Sequence, residues 1–121
     1  MVDLKQTLGR FLTIPGVRQA VLVGRDGLVI EGFTRDGKED MEAVGAIMTT
    51  GLGTAEALGQ EIGRGSVVGV LMEYEHGLVS ADPMGDFALV VTLFDNAASL
   101  GRVRHMVKAS RNEILEALDI S

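Results

Sequence analysis

The chain contains no cysteine and no tryptophan. Without thiols there is no disulfide, no cysteine nucleophile and no thiolate metal site, and a reducing, cytoplasmic setting is the expectation. Aromatic residues make up only 4%, too few for the stacking platforms that hold single-stranded nucleic acid. Basic residues are also in deficit. Eleven Lys and Arg against 17 Asp and Glu leave a net charge of −6, which opposes sequence-independent binding to phosphate backbones. No nucleic-acid partner is therefore expected. No apolar run approaches the roughly 20 residues of a membrane span, so no span is expected either. The opening MVDLKQTLGRFL lacks the apolar core and cleavage site of a signal peptide. With two prolines and no Gly/Ser-rich run in 121 residues, no linker is evident, and the length fits a single domain over 1–121.

What the chain has in excess is glycine, 16 of 121 residues, against a usual share of about 7%. Much of it falls inside segments that read as helix or strand, where glycine weakens the element. Close approach of one backbone to another explains such placement.

The stretch Asp36–Gly63, DGKEDMEAVGAIMTTGLGTAEALGQEIG, reads as one long helix. Asp36 followed by Glu39 has capping-box spacing, and Gly63 and Gly65 supply the stop. At about 100° per residue, Met41, Val44, Ile47, Met48, Leu52, Ala55, Leu58 and Ile62 share one apolar arc. Ala43, Ala46, Thr50, Gly53, Thr54 and Ala57 form a second arc of small residues. Only Glu42, Thr49, Glu56 and Gln60 make a polar strip. Two dry faces ask for two partners, the helix's own sheet and a further surface.

Before it, Asp3 can cap a helix that points Leu4, Leu8, Phe11 and Leu12 to one side, ended by Pro15-Gly16. Val17–Val23 and Leu28–Phe33 read as strands joined at Arg25-Asp26-Gly27, a strong hairpin signal. After it, Ser66–Tyr74, Leu78–Ala81 and Phe87–Phe94 read as three more strands, with turns at Glu75-His76-Gly77 and Asp82–Asp86. FALVVTLF is apolar on both parities and so is expected at the centre, covered on both faces. Asp95 or Ser99 caps a last helix with Leu100, Val103, Val107, Ile114 and Leu118 inward. The order α-β-β-α-β-β-β-α with short hairpins predicts an α/β/α sandwich around a five-stranded, mainly antiparallel sheet. The long helix lies on one face and the terminal helices on the other.

Chemistry-bearing motifs are sparse. Gly51-Leu-Gly53 lies inside a helix, with Glu56 where a dinucleotide fingerprint needs its third glycine. No GxxxxGK[ST] phosphate loop and no GxSxG nucleophile elbow occurs. His76 sits at a hairpin tip and His105 on the last helix, both solvated positions. Carboxylate pairs such as Glu39-Asp40 and Asp82/Asp86 fall where caps and turns use them. No catalytic residue, cofactor or metal is assigned, and an enzyme is not expected. Arg104, Lys108 and Arg111 share one face of the last helix, flanked by Arg102. The plain account is a solvated face paired to Glu113 or Glu116; the functional one is a docking stripe for an acidic partner surface.

The hairpin GVRQAVLVGRDGLVIEG, the small-residue helix after it and the block EYEHGLVSADPMGDFALVVTL together resemble the Roadblock/LC7 family. The nearest likeness is to its stand-alone bacterial, MglB-like branch. The resemblance spans essentially the whole chain, with Gly16–Val29 as its most specific piece. It implies a profilin-like fold and a homodimer that pairs long helices antiparallel and joins edge strands into one sheet. Ala43, Ala46, Thr50, Gly53, Thr54 and Ala57 would then form the helical contact, and Val68, Val70 and Met72 the strand contact. The family further implies binding to a small Ras-like GTPase as activator, regulator or tether. Arg25, Arg35 and Arg64 read as loop arginines, and no arginine finger is assigned. The competing expectations are an adaptor dimer in a complex without a GTPase and a small-ligand sensor.

Overall fold

A computed structural model describes residues 3–119; Met1, Val2, Ile120 and Ser121, part of the expected 1–121 domain, lie outside the described residues. The elements run α1 (Leu4–Gly9), a 3-10 turn (Arg10–Thr13), β1 (Val17–Gly24), β2 (Val29–Thr34), α2 (Met41–Glu61), β3 (Val70–Tyr74), β4 (Gly77–Met84), β5 (Ala88–Phe94), a second 3-10 turn (Ala97–Ser99) and α3 (Leu100–Leu118). The strands form one antiparallel sheet in the order β2-β1-β5-β4-β3. The expected architecture is therefore present, and β5 is central. Its burial is nearly continuous, as a strand covered on both faces requires.

Each face of the sheet carries its own core. Leu8, Phe11, Leu22, Val90, Phe94, Val103, Val107 and Ile114 pack under α1 and α3. Val21, Val23, Leu89 and Val91 meet Met48 and Leu52 of α2 on the other side. Alternation along β1 and β5 sends neighbouring residues to opposite cores. Outside the cores, Arg18 joins three segments, with Nε donating to Asp95 at 2.8 Å and Nη1 to Asp36 at 3.2 Å. Glu113 of α3 accepts from Arg10 and, at 2.9 Å, from the Thr7 hydroxyl. These hydrogen bonds hold its carboxyl below the usual range and pin α1 to α3.

Four expectations need correction. The long helix starts at Met41, not near Asp36, and its cap is Asp40, whose carboxylate accepts from the amides of Glu42 and Ala43. Asp36 sits in the preceding loop, accepting from the Lys38 amide; two Asx-capable residues four apart competed, and the one beside the first inward residue caps. The helix ends as expected, with Gly63 at φ 66° and the Gly63 and Arg64 amides donating to Gln60 and Gly59 carbonyls, a Schellman close.

The helix is also rotated from the expected arc. Met41, Val44, Gly45, Met48 and Leu52 face the sheet, whereas Ile47, Leu58 and Ile62 are 68, 59 and 56% exposed. Gly45 explains the turn. A Cβ there would stand 3.0 Å from Val23 Cγ2, so the backbone beds into β1 on its glycine side and carries Ile47 outward.

β4 is longer than expected and runs through Asp82-Pro83-Met84. β3 is shorter and begins at Val70, opposite Ala81. Both follow from Pro83. Extending β3 backward would set Val68 against Pro83, which has no N–H to give, while β5 pairs with Pro83 on the other side. Val68 therefore lies outside the strand and is 84% exposed. Lastly, Asn96 caps the turn before α3, while Ser99 donates to the Pro15 carbonyl instead of capping.

Candidate interaction surface

The sheet has two edge strands, β2 and β3, and α2 meets the β3 edge where Met72 packs against Gly51. Ala43, Ala46, Thr50, Gly53, Thr54 and Ala57 are all exposed, and the rotation of the helix adds Ile47 and Leu58 to the same side. The three threonine hydroxyls on this helix do not reach for solvent. Thr49, Thr50 and Thr54 each donate to the carbonyl four residues back, at 2.8, 3.4 and 3.0 Å. Their donors are thus spent inside the helix. No atom lies within 4 Å of where a Cβ on Gly53 would be, so the helix surface there is open. The result is a dry, shallow strip about 20 Å long at 1.5 Å per residue.

β3 is the terminal strand of the sheet on that side. Val70 and Met72 pack toward the α2 core and Leu71 toward the other. Met72 reaches α2 directly, its Cε 3.4 Å from the Cβ position of Gly51. Tyr74 and Glu73 close the strand, exposed. Of the strand-contact residues inferred from the sequence, Val70 and Met72 lie on this edge; Val68 does not.

The arginines near the hairpins are engaged. Arg25 pairs with Glu56 of α2, and Arg35 donates to the Val17 carbonyl at 2.9 Å and to that of Leu12. His76 is exposed at the β3–β4 turn, 3.6 Å from Glu75, and His105 is exposed on α3. Among the described residues no group of three or more His, Asp or Glu side chains is placed to hold a metal ion, and no helix is long and apolar enough to cross a membrane.

The basic stripe is real but differently partnered than expected. Glu113 turns to α1, as above, while Arg104, Lys108 and Arg111 line a cavity between α3 and the β3–β4 end of the sheet. Arg111 donates to the Pro83 carbonyl at 2.9 Å. Two other residues line that cavity: Ser80, inside the expected strand Leu78–Ala81, and Asp82, which the sequence places in a turn but the structure places in β4. With β4 extended through Met84, the alternation Leu78-Ser80-Asp82-Met84 sets them on one face.

A single antiparallel sheet with one helix on one face and two on the other defines the class, a profilin-like α/β/α sandwich. The chain belongs to the Roadblock/LC7 domain family, whose family model matches residues 3–94. It is 36% identical over 99 residues to the uncharacterized protein MJ0310 of Methanocaldococcus jannaschii, an alignment covering 82% of this chain and 85% of that one. Its fold is similar to Myxococcus xanthus MglB, with a TM-score of 0.85, 19% identity, and coverage of 95% and 94% of the two chains. It is also similar to an MglB solved with a tetrameric arrangement, with a TM-score of 0.81, 22% identity, and 92% and 84% coverage. At 19 and 22% identity, the likeness to the MglB structures is one of fold.

Proposed function

We propose that the chain, acting over 1–121 as one domain, is a non-catalytic homodimer that regulates or tethers a small Ras-like GTPase in the cytoplasm. The observation that carries the dimer is the adjacency of a dry helix face and an uncovered strand edge. An exposed edge without proline or a central charge is a liability in a monomer, and an apolar helix face beside it extends the same liability. Antiparallel pairing of α2 with its copy, together with β3 against its copy, covers both at once. Ala43, Ala46, Thr50, Gly53, Thr54 and Ala57 allow the helices to approach, and Ile47 and Leu58 supply apolar area at the sides. The multimeric arrangement of a similar MglB supports the same reading.

The GTPase reading rests on family membership and on the fold shared with MglB. Arg25 and Arg35 are engaged within the fold while Arg64 is exposed, and no arginine is assigned to phosphate chemistry. The test is co-elution of the purified chain with a Ras-like GTPase from the same genome, loaded with GDP or a GTP analogue. A complex in one nucleotide state is expected. A stable dimer that binds in neither state would overturn the GTPase reading and leave an adaptor dimer.

A further inference from the structure

We infer that the cavity beneath α3 is a binding site for a small organic carboxylate carrying a short apolar stem, on the opposite face of the sheet from the small-residue face of α2. The cavity measures 480 Å³, within the range of sites that hold small molecules. Its floor is Leu71, Ser80 and Asp82 from β3 and β4, its roof Leu100, Arg104, Val107, Lys108 and Arg111 from α3. α3 lies outside the residues matched by the family model.

Three features select the ligand. The first is charge. In a chain of net charge −6, this cavity gathers three cations and one carboxylate, an excess of two positive charges where the rest of the surface is acidic. The second is an unspent donor. Ser80 is only 5% exposed, and its hydroxyl has no hydrogen-bond partner. A buried hydroxyl left unpaired is costly, and an incoming carboxylate oxygen would satisfy it. The third is the apolar wall of Leu71, Leu100 and Val107, which a hydrocarbon stem would cover. Convergent polar groups in a mainly apolar hollow are the usual composition of a small-molecule site.

Asp82 makes the site pH-sensitive. It faces the same cavity, and Gly69 lets the chain pass over its carboxylate, since a Cβ there would meet Asp82 Oδ1 at 3.0 Å. The charged groups facing it are Arg111 and Arg104 of α3, while β5 presents Val90 beside it and the loop before β3 presents Val68 and Gly69. Burial pushes its carboxyl up to about 6, against the opposing pull of the two arginines. Ionised Asp82 competes with the ligand for those arginines. Protonated Asp82 releases them, so the ligand binds more tightly as pH falls through about 6.

The probe is octanoate, titrated into the isotope-labelled full chain and followed by amide shifts. Octanol and acetate serve as controls that lack the charge and the stem. Saturable shifts at Gly69, Leu71, Ser80 and Lys108 are expected, with each control binding at least about tenfold more weakly, the equivalent of one lost charged or apolar contact. Arg104→Gln with Lys108→Gln, both at exposed positions, is expected to weaken octanoate about tenfold without altering the fold. Ser80→Ala should cost severalfold. Asp82→Asn should bind more tightly at neutral pH and lose the pH dependence. Octanol binding as well as octanoate, or an affinity unchanged by the charge variants, would overturn the inference. So would shifts confined to Ile47, Leu58 and Ile62, or binding of acidic peptides but not octanoate. The wild-type affinity staying flat across pH 6 would overturn the role given to Asp82.

Discussion

Two helices of similar length, α2 with 21 residues and α3 with 19, cover opposite faces of one sheet, and their outward sides differ sharply. α3 turns Arg102, Arg104, His105, Lys108, Asn112 and Glu116 to solvent. α2 turns out Ala43, Ala46, Ile47, Thr50, Gly53, Thr54, Ala57 and Leu58, with its threonine donors already bonded inward. Both inner faces bury comparable apolar side chains, so the requirements of folding do not explain the contrast. What differs is the neighbour each outer face is built for. Water suits α3. In the proposed dimer the second copy is that neighbour for α2, approached along the β3 edge.

The comparison is broken most severely by charging the small face. Ala46→Arg combined with Thr50→Arg buries four unpaired cations per dimer, each worth several kcal/mol. The expected outcome is a monomer by light scattering with unchanged circular dichroism. Charge removal on α3 by Arg104→Gln should leave the mass untouched. If the double-arginine variant remains a dimer, the small face is not the interface.

A second contrast lies within α2. Leu52 is fully buried and Leu58 is 59% exposed. Leu52→Ala should cost about 2–5 kcal/mol of folding stability. Leu58→Ala should leave the folding free energy of the isolated monomer within about 0.5 kcal/mol and weaken association instead. Denaturation at two protein concentrations separates the two effects, because only an association term depends on concentration.

The α3 side can be probed by pH. A carboxyl held above its ordinary value binds its proton more tightly in the folded chain than in the unfolded one. Asp82 therefore adds stability as pH falls from neutrality through about 6, and the gain levels off near pH 4, where the unfolded aspartate protonates as well. Asp36 and Glu113 act in the opposite sense and lower down. Both lie below their ordinary values, so their contributions are present near neutrality and are lost only as pH falls through and below the usual carboxylate range. Asp82→Asn should remove the rise between neutrality and pH 4, measured by urea midpoints, and leave the acid loss in place.

The smallest expected effect concerns the start of α2. Asp40→Ala should cost about 1 kcal/mol through loss of the cap, and Asp36→Ala less. Equal losses would contradict the placement of the cap.

The element order and the central position of β5 were legible because continuous or periodic apolar patterns determine them directly. The hairpin at Asp26-Gly27 and the stop at Gly63 were legible because turn geometry restricts the residues that fit. The orientation of α2 was not. Ala, Gly and Thr carry too little hydrophobic contrast to tell an inward arc from an outward one, and the decision came from Gly45 against Val23, a contact between distant residues. The β3 and β4 boundaries were missed because Pro83 reads as a turn signal, yet it lies where one side of β4 has no partner strand. The small-residue strip was found by its spacing. Ile47 and Leu58 were assigned to the wrong side of it, Ser80 was given no role, and Asp82 was placed in a turn instead of the strand that holds it.

The central claim is that the dry face of α2 and the edge of β3 belong to one interface between two copies. Hydrogen exchange at the outward-pointing amides of Val70–Tyr74 tests it most directly, followed as the protein is diluted through its dissociation range. The expected result is slow exchange at high concentration that becomes fast on dilution, and fast exchange at every concentration when Ala46→Arg and Thr50→Arg are present. Fast exchange at all concentrations in the wild-type chain, or protection that survives the double-arginine change, would contradict it.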